Sequence, residues 1–313
     1  MKVGINLVNF GPAARPEVLA RWAELAERLG YHSLLTSDHL AVTPDVQERY
    51  PGPFYEPLTI LGWLAALTDR VELGTTVTIV PYRSPFEVAR AWANLDNLSG
   101  GRMILGVGVG WAEREFEALD VPFRRRGAIT DDYLAVIRAH WATERLDWDG
   151  PFVSCRGVDT TPLPVRAPLP VWVGGSSRAA LRRTVRLGTA WHPIRLRPSW
   201  FTDVAVPRLA EVADGEGMPM PELCPRIMFA ITPQPTDPAT RFMGHGTLEQ
   251  IHGDLHLLEQ AGCAHVILDP YSPFDDIGLR DLVMDPEPAL ERTWEAYETV
   301  AATVIDLQAE SVR

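Results

Sequence analysis

The chain carries 29 basic residues but only one lysine, Lys2; the remainder are arginines. No lysine beyond the N-terminus is therefore at hand as a Schiff-base nucleophile or as a point-charge phosphate clamp. Surface physics does not demand this bias, and a GC-rich genome accounts for it. Cysteine is scarce too. Cys155, Cys224 and Cys263 are odd in number, widely spaced and outside any CxxC pair, which argues against a disulfide framework or a cysteine metal cluster and fits a reducing cytosol. No HxH or HExxH occurs, so no metal is expected. No apolar run reaches the length of a membrane span. The opening MKVGINLVNF lacks a basic segment followed by a long apolar stretch, so no signal peptide is expected and a cytoplasmic location is. The formal net charge of −12 argues against nucleic acid or an anionic membrane as partner.

What is present is regular alternation. The 313 residues are 46% hydrophobic, enough for a full core. Val3 to Val8 is a β-rich run, followed by Val18, Leu19, Trp22, Leu25, Ala26 and Leu29 at helical spacing and by Gly30 where a helix ends. The pattern repeats: strands at 33–36, 71–80 and 103–109, with helices at 57–67 and 85–98. It is then interrupted by a helix around 131–142, a β-hairpin turning at Asp149-Gly150 and a proline-rich link. It resumes with strands at 171–173, 190–194, 225–232 and 265–268 and helices at 177–187, 200–213, 248–261 and 288–307. Eight strand–helix units predict an α/β fold, a (β/α)8 TIM barrel, with residues 111–170 as an insertion between strands 4 and 5. A doubly wound open sheet is the alternative, but no GxGxxG follows the first strand. No Gly/Ser-rich linker splits the chain, so residues 1–313 read as a single domain.

The C-terminal ends of barrel strands carry active sites, and the unusual residues fall there. Strand 2 ends on Asp38 and His39. Strand 3 delivers Thr75, Thr76 and Val77, then Pro81 and Arg83. Strand 4 ends in LGVGVGW, with Gly106, Gly108, Gly110 and Trp111. Its alternating glycines mark either packing against a bulky neighbouring strand or a planar cofactor over the strand end. Strand 5 ends in Gly174, Gly175, Ser176 and Ser177, where a helix start offers a phosphate site or only an N-cap. Strand 6 delivers Trp191 and His192, and strand 8 delivers Asp269. Asp38-His39 could be a satisfied structural pair, but on this rim an imidazole, whose ordinary pKa is near neutrality, suits proton transfer.

TSDHL, LGTTVTIVPYRSP, GRMILGVGVGW, VWVGGSSRAAL and AWHP, in that order, resemble the bacterial luciferase-like monooxygenase family, and most of all its deazaflavin (coenzyme F420)-dependent oxidoreductases. The resemblance covers roughly residues 1–195. It implies a barrel, a homodimer and a flavin or deazaflavin at the mouth. It also implies a non-prolyl cis peptide at Thr76–Val77, in a bulge backing the ring, and Thr75, Thr76, Val77, Gly106, Gly108 and Gly110 beside it. Asp38 would contact the cofactor, His39 would donate or accept the proton, and Gly174 to Ser177 would take the phosphate. The sugar-phosphate dehydrogenases of that branch carry a glutamate directly after the strand-4 glycines and use lysines toward the substrate phosphate. Trp111 stands in place of that glutamate and the lysines are missing, so sugar-phosphate oxidation is not expected; Trp111, Trp191 and His192 would face an apolar or aromatic organic substrate. The function expected is hydride transfer between F420 and a small organic molecule, reducing an activated C=C or C=N bond, with a separate reductase regenerating the cofactor. The alternatives are a two-component FMN monooxygenase and, in another class, a non-catalytic barrel that binds a ligand or serves as a subunit. Substrate choice would rest on residues 41–56, the insertion, and the loops after strands 7 and 8.

Overall fold

The apolar runs pair off in the computed structural model, which describes residues 1–273 and 280–313. Strands β1 (Lys2–Leu7), β2 (Ser33–Thr36), β3 (Glu72–Thr75), β4 (Met103–Gly108), β5 (Val171–Gly174), β6 (Ala190–His192), β7 (Arg226–Met228) and β8 (His265–Asp269) form one curled parallel sheet. One edge is β7, beside β8. At the other edge, Glu222–Leu223 pairs with β6. That stretch continues through Cys224-Pro225 into β7, and Ile194 bridges to Arg226, so the sheet turns back on itself in the TIM-barrel manner.

Parallel neighbours need crossover connections. Helices α1 (Pro16–Leu29), α2 (Pro57–Leu67) and α3 (Pro85–Leu98) supply the first three. Each starts on proline, whose missing N–H is one a helix start leaves unbonded anyway. Gly30 closes α1 at φ +92° with its N–H on the Ala26 carbonyl, a left-handed cap that favours glycine. Between β4 and β5 lie α4 (Glu113–Ala118), α5 (Arg126–Ala142) and an antiparallel hairpin, Arg145–Asp149 with Ser154–Asp159. Asp132 of α5 holds the hairpin by accepting from the Phe152 and Val153 N–H groups at 2.9 and 3.1 Å. Helices α6 (Arg178–Leu187), α7 (Val206–Glu216), α8 (Leu248–Gln260) and α9 (Pro286–Thr303) complete the outer layer.

Strand alternation divides the side chains between two environments. Ile5, Leu7, Leu34, Leu105, Val107, Val171, Val173 and Leu268 pack outward against the helices. Leu35, Ile104, Trp172, Ala190 and Ile267 fill the interior. Gly74 lets β3 and β4 approach closely: a Cβ there would lie 2.2 Å from the Ile104 carbonyl oxygen and 2.9 Å from Leu35 Cδ2. Truncating a buried tryptophan such as Trp172 costs about 3–5 kcal/mol.

Three expected strands prove shorter. The third breaks after Thr75 and resumes as Thr78–Ile79, and the sixth ends at His192. The seventh breaks after Met228, and Ala230–Ile231 then pairs with His245–Gly246. Helix α5 starts at Arg126, earlier than its apolar spacing suggests, and α4 stands where no element was expected. Residues 274–279, in the loop after β8 that was expected to select substrate, lie outside the described residues. Among the described residues no helix is long and apolar enough to cross a membrane.

Candidate active site

The break in β3 organises the mouth of the barrel. The Thr76–Val77 peptide is cis, as the resemblance implied. Thr76 N–H donates to the Thr36 carbonyl at 2.8 Å, and Thr75 Oγ1 to the Gly106 carbonyl at 2.8 Å. Asp38 Oδ2 accepts from Ile79 N–H at 2.8 Å, beyond the bulge. The bulge is thus tied from both sides.

It also explains the glycines of β4. A Cβ at Gly106 would sit 1.9 Å from the Thr75 carbonyl oxygen, and one at Gly108 2.6 Å from Val77 Cγ2. At Gly110, at φ +78°, a Cβ would meet Ile79 and Phe116 at 2.7 Å. Of the two readings of LGVGVGW, the close packing of a neighbouring strand is the one that occupies the space beside these glycines.

Asp38 was expected to touch cofactor. Its carboxylate is fully buried and receives Arg83 in bidentate fashion, Nη1 at 2.8 Å and Nη2 at 2.9 Å, besides the Ile79 N–H. Arg83 Nη2 also reaches Glu56 at 2.9 Å. Asp38 is therefore a strut: its acceptor sites face protein donors.

Its neighbour, His39, is buried at 6% exposure and donates from Nδ1 to Glu115 Oε2 at 2.7 Å. Glu115 comes from α4, and no feature of the sequence reading had singled it out. Its carboxylate, with no exposed surface, also accepts from Tyr82 OH at 2.8 Å and from Leu40 and Ala41 N–H at 2.6 and 3.0 Å. Four donors around two oxygens suit an acceptor-only carboxylate. Burial first, then Glu115, holds the Tyr82 phenol far above its ordinary range, so it remains a donor. The bond at Nδ1 fixes the imidazole and leaves Nε2 with no protein partner among the described residues. Phe54, Tyr50 and Trp111 surround the ring at centroid distances of 5.5, 5.0 and 5.8 Å. Trp111, directly after the strand-4 glycines, thus meets one side of the imidazole, and the Glu115 carboxylate from the loop that follows meets it at Nδ1.

Two further expectations need correction. Trp191, 1% exposed, belongs to the outer layer, where it stacks on Phe201 and donates from Nε1 to the Gly175 carbonyl at 2.8 Å. It supports the strand-5 loop and lines no substrate face. His192 points into the barrel, fully buried; Nδ1 bonds the Cys224 carbonyl and Nε2 lies 2.8 Å from Thr76 Oγ1. Burial, and secondarily Arg226, lowers its pKa to about 4, so it is a neutral structural imidazole.

Arg226 is a second residue the sequence reading missed. Its Nη1 donates to the Thr76 carbonyl at 2.8 Å and its Nε to Asp269 Oδ2 at 2.7 Å. Asp269 also accepts from Asn6 Nδ2 at 2.7 Å. The bulge thus rests on a buried ion pair. Asn6 Oδ1 is left buried without a partner among the described residues.

On the opposite rim, Gly174 and Gly175 open the turn into α6, Gly175 exposed at φ +95°. Ser177 caps α6, its Oγ accepting from Ala180 N–H at 3.2 Å. Ser176 lies between them, half-buried. The first N–H groups of the helix remain available to an anion.

A family model described as luciferase-like monooxygenase matches residues 1–261. An uncharacterised protein of Mycobacterium tuberculosis is 31% identical over 176 residues, which span 52% of this chain and only 61% of that protein. A protein of Nocardia farcinica named F420-dependent glucose-6-phosphate dehydrogenase is 29% identical over 305 residues, 91% of this chain and 84% of its own. The crystal structure of monooxygenase RslO1 from Streptomyces bottropensis shares the fold at a TM-score of 0.76 and 22% identity, covering 96% of this chain and 98% of that one. With a family model matched over most of its length, this chain belongs to the luciferase-like monooxygenase family.

Proposed function

We propose that the protein is an F420-dependent oxidoreductase that transfers a hydride between the deazaflavin and a small organic substrate, reducing an activated C=C or C=N bond. The observation that carries this is His39, buried beside the bulge, fixed at Nδ1 by Glu115 and unpartnered at Nε2. The name of the Nocardia relative supports F420. Its substrate is not carried over, because Trp111 occupies the position of the sugar-phosphate glutamate and no lysine is available.

The residues present fit such a cofactor. Gly175 and the free N–H groups at the start of α6, with Ser176 and Ser177, suit its phosphate. Val77 on the bulge, half-buried, offers an apolar backing. The bound deazaflavin supplies the hydride. The chain does the rest: His39 Nε2 carries the proton to the substrate, Glu115 holds the imidazole in place, and the aromatic wall excludes water.

Residues 1–313 would act as one unit, with 111–170 inserted into the barrel and a separate reductase supplying reduced cofactor. Helix α2 is apolar all round, with Trp63 39% and Leu67 50% exposed, and Leu98 at the end of α3 is 80% exposed. This face would join two copies as a homodimer. The test of the function is anaerobic mixing of the protein and reduced F420 with a panel of electron-poor alkenes and imines, following cofactor reoxidation. Turnover that falls at least about a hundredfold in His39→Ala is expected; turnover indifferent to His39 would refute the assignment.

A further inference from the structure

Tyr50 stands out among the aromatic residues of the mouth. Tyr31, Tyr82, Tyr271 and Tyr297 each donate their hydroxyl to a protein acceptor. The half-buried Tyr50 hydroxyl meets no hydrogen-bond partner among the described residues. Its place is well fixed all the same. The ring lies 5.0 Å from His39 at 40°, 5.1 Å edge-on from Phe10 and 6.0 Å from Tyr271. The loop bearing it is sewn to the end of β1: Gly11 N–H donates to the Pro51 and Pro53 carbonyls, and Asn9 reaches the Ser37 and Tyr55 carbonyls. Burial, against the opposing charge of Arg226, pushes the phenol above its ordinary pKa, so the group stays a donor at neutral pH. Trp111, 37% exposed and with the Arg49 guanidinium 4.3 Å over one face of its ring, and Phe54, stacked on Phe10, complete an aromatic wall beside Tyr50 OH and His39 Nε2.

We infer that the substrate is a conjugated carbonyl compound with a planar, apolar body, its carbonyl oxygen accepting a hydrogen bond from Tyr50 while the body packs on Trp111 and Phe54. This rests on the hydride-transfer reading above, which it narrows. As the hydride forms a C–H bond at the β-carbon, the C=C π pair moves toward the carbonyl and leaves an enolate oxygen facing the Tyr50 hydroxyl. The α-carbon then takes the proton from protonated His39 Nε2. The alkene gains two hydrogens and is reduced by two electrons, and the reduced deazaflavin is oxidised by two. Tyr50 keeps its proton throughout and acts by stabilising negative charge where it develops. Such a hydrogen bond is better to the enolate than to the ketone, so its loss should lower kcat as well as affinity.

The test uses the protein without cofactor and two probes of like shape, benzylideneacetone and β-methylstyrene, the second lacking the carbonyl. Binding is followed by quenching of tryptophan fluorescence, and hydrogen bonding by the red shift of the enone absorption band. The inference predicts that Tyr50→Phe weakens benzylideneacetone binding about tenfold, the worth of one hydrogen bond, and abolishes the red shift. Affinity for β-methylstyrene and for F420 should be unchanged. Trp111→Leu should weaken both probes alike and keep the red shift. Equal binding of benzylideneacetone by wild type and Tyr50→Phe, or no binding of either probe by wild type, would overturn the inference. Loss of F420 binding by wild type with probe binding intact would instead sink the cofactor reading and leave the carbonyl site standing.

Discussion

Replacing Glu115 by glutamine tests whether this carboxylate is what readies His39. Oε1 accepts from Leu40 and Ala41 N–H, and Oε2 from His39 Nδ1 and Tyr82 OH, at 2.6–3.0 Å. An amide can satisfy only one of these pairs. With its oxygen toward the backbone, its NH2 confronts two former donors. Tyr82 can rotate its hydroxyl and accept, but His39 can do so only by moving its proton from Nδ1 to Nε2. All four bonds to a charged group, worth about 1.5–3 kcal/mol each, become weaker neutral ones and two of them must reverse, for a net stability loss of about 4 kcal/mol. The imidazole is then held in the other tautomer, and the proton-transfer contribution of about 10²–10³ in rate should be lost. Urea unfolding reads the first effect, single-turnover reoxidation of F420 the second, and the ring N–H signals of ¹⁵N-labelled histidine the tautomer. A Glu115→Gln protein that keeps the wild-type tautomer and turns over within about threefold of wild type would refute the reasoning.

Gly106→Ala places a methyl group 1.9 Å from a backbone carbonyl that no side-chain rotation can move; a loss of about 3 kcal/mol in urea unfolding is expected, together with weakened cofactor binding. The folded His192 has a pKa of about 4 against an ordinary value near 6.5, so the unfolded chain takes up a proton that the folded one refuses. Stability is therefore full above about pH 6.5 and falls by roughly 3 kcal/mol toward pH 4, a slope that His192→Asn should flatten in unfolding curves at stepped pH. Trp63→Ser with Leu98→Ser should convert a dimer into a monomer in sedimentation velocity if α2 and α3 form the contact, with near-UV circular dichroism checking that the barrel is intact. Ser177→Ala removes the cap of α6 and should cost about 1 kcal/mol while weakening phosphate binding at the mouth, measured by calorimetry with inorganic phosphate.

The alternation of strand and helix was legible because each strand is short, apolar and bounded by turn residues. His39, the Gly174–Ser177 turn and the bulge at Thr76–Val77 were legible because they end strands in sequences with a family resemblance. Glu115 was hidden for a physical reason. EREFEA alternates charge like a solvated helix, and only the packing of Phe116 beneath Tyr82 turns one of its acids inward. Trp191 and His192 look like rim residues because an aromatic and an imidazole stand together near the end of a strand, where the alternation of faces is easily overlooked. The strand ends at His192, with one side chain among the outer helices and the other inside the barrel. Asp38 looked reactive in isolation, since its partner Arg83 lies 45 residues on. Arg226 drew no notice because a lone arginine in a strand carries no pattern; its role follows from the barrel bringing Thr76 and Asp269 to either side of it.

The central claim is that this mouth was built for a deazaflavin and a proton donated by His39. The most direct measurement is an equilibrium titration of the purified protein with F420 and with FMN, each oxidised and reduced, followed by ligand fluorescence. The account predicts saturable F420 binding at least about tenfold tighter than FMN, unchanged in Glu115→Gln and weakened in Gly106→Ala. Tighter binding of FMN than of F420, or binding of neither, would contradict it.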